Sequence, residues 1–520
     1  MPIDGSLAFG SESVDFYEQY KPFRNFMRRF DLLTGLVSVW GYALHVLDGH
    51  RLPIGYAIGK PALIGEVAEH IHPWDVEILA RELILNAGTG GDHDLRRWHD
   101  LAKAINHIRR LDEAAFMAGP NPQDDVLFEL HRMAHRQFPP QTKIGVNAMM
   151  RAFKIFGHPD MEPVMVRELG MTMRQCLLLA MAMNGHFLKD WGLSTTQEYQ
   201  DPLGIPKETS SALFTRISCP LGRLKTETAN RQSYGRDWLY TWNPLEATPL
   251  VGIDPVHPDR VICPIPRYLM RRMTNGIFFD LVRSQDFDNP FGTAFQAYAG
   301  DVIAATCHPP RFTVLAEKPY YIGGRKMHGV DWVLSDASGH LFIETKTKRL
   351  TLDAKTLSDT AALNKDLVAL AKAIVQHYRN IRNALDCKTQ WVPNGSPIYP
   401  LVLTLEDWFI FSPRVNDMLA KQVQDLLYSE GIPGRFLEEM PYTVASANEF
   451  EIAIQVIAQI GITAVMGKKT VPEHWQWSLL PFVSGEFKGE MKNVNWRLFV
   501  DEFAAIMPER PKSAVEIPHQ

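Results

Sequence analysis

Six prolines, at positions 244, 249, 255, 258, 264 and 266, fall within 23 residues near the middle of the chain. Proline fixes φ and lacks an N–H, so neither a long helix nor a central strand is expected to persist through such a stretch. The density predicts a linker over 244–266. Before it the patterns are helical: residues 126–138 place Val126, Leu127, Leu130, Met133 and Ala134 on one face at three- and four-residue steps. The Met-rich run 161–188 reads as core-filling helix broken at Gly170 and Gly185. After it, strand patterns at 312–316, 331–334, 341–347 and within 399–411 alternate with helical patterns at 291–306 and 365–385. The expected organisation is a mainly α-helical domain over 1–243, serving recognition, sensing or oligomerisation. An α/β core over 267–415 follows, then a C-terminal α/β extension over 416–520. A C-terminal piece beginning near Thr248 is expected to fold alone.

Charge narrows the partners. With 54 Lys and Arg against 59 Asp and Glu, the net charge is −5, so any polyanion must be held by a local basic patch. Such a patch is expected between His340 and Asn383, where eight basic residues face four acidic ones; Lys348, Arg349, Lys372, Arg379 and Arg382 are its candidate nucleic-acid contacts. The five cysteines form no CxxC pair and fit a reducing compartment. The first twenty residues lack a basic and an apolar region of signal type, and the most apolar run, 176–183, falls far short of the roughly 20 residues of a membrane span. A cytoplasmic protein without a membrane partner is expected.

The chemistry is concentrated at Asp331 and, thirteen residues on, Glu344-Thr345-Lys346. Side chains alternate along a strand, so Glu344 and Lys346 share a face. The stretch Ser335-Asp336-Ala337-Ser338-Gly339 is a turn signal, and the hairpin it closes brings Asp331 beside Glu344. Two carboxylates with the backbone carbonyl of Thr345 make an oxygen-rich site suited to Mg²⁺. Lys346 is placed to act on a water nucleophile and on charge developing at phosphorus. Two other Glu-x-Lys triplets, at Glu486 and Glu490, have no aspartate between Leu426 and Val500 to partner them.

From Phe291 to Phe411 the chain resembles the PD-(D/E)XK nuclease superfamily: a helix, Gly329-Val330-Asp331-Trp332, Phe342-Ile343-Glu344-Thr345-Lys346, then a helix with Gln376 and Tyr378. The resemblance implies a restriction-endonuclease-like mixed sheet flanked by helices. It also implies a Mg²⁺- or Mn²⁺-dependent nuclease acting on nucleic acid, DNA before RNA, in restriction or phage defence. Asp331 and Glu344 would be metal ligands and Lys346 catalytic, with Gln296, Gln376 and Tyr378 in support. Two positions depart from the pattern: Val330 replaces the name-giving proline, and Gln296 stands where many members carry a helical glutamate. The alternatives are a nuclease-like binding protein that no longer cuts, and a helical ribonuclease or toxin centred on His93, His99 and His107 with Arg96 and Arg97. Self-association, and a protein trigger sensed by the helical half, remain open as further partners. The pair His131 and His135 has zinc-protease spacing, but Arg132 stands where the catalytic glutamate belongs.

Overall fold

The structure is a computed structural model and describes residues 15–117, 122–356 and 360–508. The first helices form as their spacing dictates. Phe16–Met27 buries Phe16, Tyr20, Phe23, Phe26 and Met27 at helical intervals, and its N-cap Asp15 accepts the amide of Tyr17 at 3.0 Å. With Leu32–Val46, Pro73–Asn86 and Trp98–Met117 it encloses an apolar cluster closed by Trp238. In the Met-rich run, Gly170 ends the helix Glu162–Leu169 in the left-handed conformation at φ +70°. Gly185, expected to break the next helix, lies inside Met173–Phe187.

The proline-rich segment is not a linker. It contributes two strands to a four-stranded sheet made of β1 (Gly192–Ser194), β2 (Ser218–Pro220), β3 (Leu250–Gly252) and β4 (Arg260–Ile262), in the order β1-β4-β3-β2. The prolines flank the two strands and are absent from their interiors, so they end strands without interrupting a ladder. Leu250, Val261 and Cys263 then join a cluster running from Val146 to Ile506, while Val251, Ile262 and Ile265 join the N-terminal one. The apolar interior therefore crosses the expected boundary in both directions.

The C-terminal half holds a mixed five-stranded sheet. Helix Asp288–Thr306 precedes β5 (Thr313–Ala316); a small ribbon of β6 (Tyr320–Ile322) and β7 (Arg325–Met327) follows, then β8 (Trp332–Ser335) and β9 (His340–Lys346). Helix Thr360–Leu385 crosses over to β10 (Ile398–Thr404), and β11 (Thr443–Ser446) completes the order β11-β10-β9-β8-β5. β5, β8 and β9 pair antiparallel; β9, β10 and β11 pair parallel. The expected end of the core at 415 falls short, because β11 is a strand of the same sheet. Pro400 is accommodated within β10 because it lies just before the residues, 401–404, that pair with β11.

Alternation sorts the two faces. Leu341, Ile343, Leu401 and Leu403 pack with helices Asp288–Thr306 and Ala447–Ile460; Phe342 and Val402 pack with Thr360–Leu385 and Pro413–Ser429. Across the first of these cores Arg151, on the helix Val146–Phe156, reaches Glu451 through Nε (2.6 Å) and Nη2 (2.9 Å), and Tyr298 donates to the same carboxylate at 2.7 Å. Among the described residues no helix is long and apolar enough to cross a membrane.

Candidate active site at the β8–β9 hairpin

The turn expected at 335–339 forms around Asp336, whose Oδ1 accepts the amides of Ser338 (2.7 Å) and Gly339 (3.0 Å). The hairpin register pairs Trp332 with Ile343, so one step further Asp331 stands opposite Glu344. Their strands meet at the end of the sheet where β9 finishes. Asp331 is fixed by Thr345, whose amide and hydroxyl each donate to Oδ2 at 2.6 Å. Thr345 thus acts as a double donor to the aspartate, in addition to the carbonyl that the sequence nominates. Lys346 Nζ donates to Glu344 Oε1 at 2.7 Å and stays partly open to solvent.

Glu344 is 3% exposed, and its Oε2 has no hydrogen-bond partner. Burial, then the neighbouring Asp331 charge, push its carboxyl up to about 7; burial also raises Asp331, against the pull of Thr345 and Lys346. One group close to Oε2 carried no signal in the catalytic motif. His377 Nδ1 lies 3.8 Å away, while Nε2 sits 3.0 Å from the carbonyl of Phe342. Facing a carbonyl, Nε2 must carry the proton, so Nδ1 turns a lone pair toward Glu344 Oε2. Burial holds the imidazole neutral, pushing its pKa down to about 3. Two buried acceptors that face each other call for a proton or a cation between them. The sequence signal was a histidine on the apolar stripe of Thr360–Leu385, three residues after Ile374 and four before Ile381.

A third carboxylate also bears on the pair. Glu317, just past β5, donates its amide to the carbonyl of Asp331 at 2.9 Å, and its charge raises both Asp331 and Glu344. His328 Nδ1 lies 2.7 Å from its Oε1. Only its place opposite Asp331, set by β5–β8 pairing, marks it. Among the described residues no three His, Cys, Asp or Glu side chains are grouped to hold a metal. A Mg²⁺ ion needs only one or two carboxylates, with water completing its shell. The unpartnered Oε2 of Glu344 beside Asp331 fits that requirement.

The other nominated residues lie elsewhere. Gln376 is exposed, and Tyr378 is a core residue whose hydroxyl donates to the carbonyl of Met440 at 2.7 Å. Gln296 belongs to the helix on the opposite face of the sheet from Glu344; its carbonyl accepts the indole N–H of Trp332 at 2.9 Å. The basic patch is largely neutralised within the fold. Lys348 pairs with Asp366 at 2.9 Å, Arg349 and Lys355 each with Glu406 at 3.2 Å, and Arg379 with Glu430. Arg349 is buried, Arg382 bonds the carbonyl of Gly431 at 3.3 Å, and Lys372 stands exposed.

The histidines of the helical half form no group of three metal-ligating side chains with Cys, Asp or Glu among the described residues. His93 and His107 pack their rings on Phe26, and Arg96 is held by Asp94. His131 and His135 lie beneath the segment after β10, where His131 Nδ1 is 3.4 Å from the carbonyl of Phe409 and the His135 ring packs edge-on against the Phe409 ring. Comparison of the chain with protein-family models, curated proteins and solved structures returns no match.

Proposed function

We propose that the chain is a Mg²⁺- or Mn²⁺-dependent nuclease of PD-(D/E)XK type that hydrolyses phosphodiester bonds, in DNA before RNA. One observation carries the reading: Asp331 and Glu344 oppose each other at one end of a mixed sheet, with Lys346 on the same strand face and bonded to Glu344 at 2.7 Å. The element order supports it: a helix, three antiparallel strands that include the hairpin, a crossover helix and a parallel strand. Asp331, Glu344 and the carbonyl of Thr345 would hold the ion, which supplies Lewis acidity toward the phosphate and lowers the pKa of water. Thr345 holds Asp331 in one orientation. His377 presents only a lone pair to Glu344, which keeps that carboxylate free for a cation. Lys346, which donates to Glu344, brings positive charge to the attacked phosphate and to the attacking oxygen and stabilises the negative charge that develops there.

The test is nicking of supercoiled plasmid by Asp331→Ala and Lys346→Ala, beside Mn²⁺ binding by calorimetry. Both variants should lose cleavage with unchanged circular dichroism; the first should also lose Mn²⁺ binding and the second keep it. Variants that cut like the parent refute the assignment.

A second reading, a nuclease-like binding protein that does not cut, is favoured by the ion pair that Lys346 makes with Glu344 and by the lack, among the described residues, of a group of three ligating side chains at the pair. A parent protein that binds DNA yet leaves it intact in both Mg²⁺ and Mn²⁺ would select this reading.

A further inference from the structure

A cavity of about 1600 Å³ opens between the helical half and the sheet. It lies at the carboxyl ends of the parallel strands: Thr347–Leu352 after β9, Leu405–Asp407 after β10 and Asn448 after β11 all line it. Crevices at that end of an α/β sheet are where ligands bind, and this one exceeds the roughly 300–1,000 Å³ of ordinary small-molecule sites. Its wall carries eleven Arg and Lys against six Asp and Glu, an excess of five cations inside a chain of net charge −5.

Many of these cations are neutralised structurally, as Arg151 is by Glu451 and Arg272 by Asp280. Others retain unused donors. Arg136, with its side chain 9% exposed, has Nε and Nη1 buried without a partner, and its carboxylate neighbour Asp112 is 3.3 Å from Nη2. Arg132 and Arg349, also buried, each leave Nε unpartnered. Buried guanidinium N–H groups left unmade are costly, and a turn of these side chains toward the cavity that they line would offer them to a ligand rich in acceptor oxygens. On the same wall Arg231 lies 4.4 Å over the ring of Trp242 and has no carboxylate partner among the described residues. Trp74, Tyr240 and Phe279 add further aromatic surface. Burial raises the carboxyls of Glu246 and Asp407, and it pushes Glu77 up to about 7, where its negative charge is only partial at neutral pH.

We propose that this cavity binds a nucleoside phosphate, its phosphate oxygens on the guanidinium groups of Arg136 and Arg231 and its base against Trp242. Phosphate supplies several charged acceptors to arginine donors, and a planar base uses an aromatic wall that an inorganic anion or an acidic peptide would leave empty. The same chemistry has two sources: a free nucleotide, or the terminal nucleotide of a strand. None of this depends on the hairpin being a nuclease.

The experiment uses the full chain in EDTA, so that no cleavage intervenes. ATP is titrated by calorimetry, and a labelled hexathymidylate by fluorescence anisotropy. One probe should bind with Kd below about 1 mM, and Arg231→Glu, on the surface, should weaken it at least about tenfold. Arg136→Gln should do the same wherever its melting curve shows it folded. Lys225→Glu makes the same charge change on the same helix, Leu221–Arg231, outside the cavity and should alter Kd by less than about twofold. ATP binding supports a free-nucleotide site; hexathymidylate binding alone supports a strand end entering the cavity. Neither probe binding, or Lys225→Glu weakening binding as much as Arg231→Glu, overturns the proposal.

Discussion

Glu344→Gln should make the protein more stable above neutral pH while abolishing cleavage. Glu344 is 3% exposed, and burial shifts its carboxyl from an ordinary 4.5 to about 7. A displacement of that size corresponds to about 3 kcal/mol between protonated and ionised forms. Below about pH 4.5 the carboxyl is protonated in folded and unfolded chains alike, and its favourable contribution is complete. Between pH 4.5 and 7 the unfolded chain ionises while the folded chain keeps its proton, so stability falls. Above 7 the folded chain must also ionise a buried group, and the full contribution is gone. Glutamine does not titrate, so the variant's stability relative to the parent should climb by about 3 kcal/mol between pH 4.5 and 8. Lys346, partly solvated, tolerates the loss of its partner. Urea denaturation of both proteins in EDTA at pH 5 and pH 8 reads the difference, with plasmid nicking in Mg²⁺ as the functional arm. A difference that does not grow with pH, or a variant less stable than the parent at pH 8, would refute the account of Glu344 as a buried carboxylate held ready for a cation.

Arg151→Met should cost about 3–5 kcal/mol in urea denaturation, because it strands the buried carboxylate of Glu451; pairing it with Glu451→Leu should recover most of that loss. No recovery would mean that the triad's worth lies in packing. A chain beginning at residue 249 should be insoluble or bind hydrophobic dyes, since the cluster from Val146 to Ile506 is cut through; a monodisperse, cooperatively unfolding product would overturn the shared-core description. Mg²⁺ or Mn²⁺ should support nicking and Ca²⁺ should not, as calcium prefers looser coordination and activates water less; cleavage that persists after chelation would point to metal-free chemistry.

What the sequence determined by itself is what depends on neighbours in the chain. The hairpin was legible because the residues that close its turn lie between the two strands it joins, and alternation then puts Asp331, Glu344 and Lys346 on one face. Helices Asp288–Thr306 and Thr360–Leu385 were legible from their periodicity, within a few residues. The rest was decided by contacts between distant segments. Prolines that forbid a long helix do not forbid two three-residue strands, and only the partners at 192–194 and 218–220 turn that segment into sheet. Lys348 and Arg349 read as a basic patch until Asp366 and Glu406 arrive beside them. On the crossover helix each residue turns the side chain by about 100°, so Gln376, His377 and Tyr378 point in three directions. Which of them meets Glu344 depends on the rotation at which that helix packs on the sheet, and the apolar stripe that sets the rotation brought His377 inward.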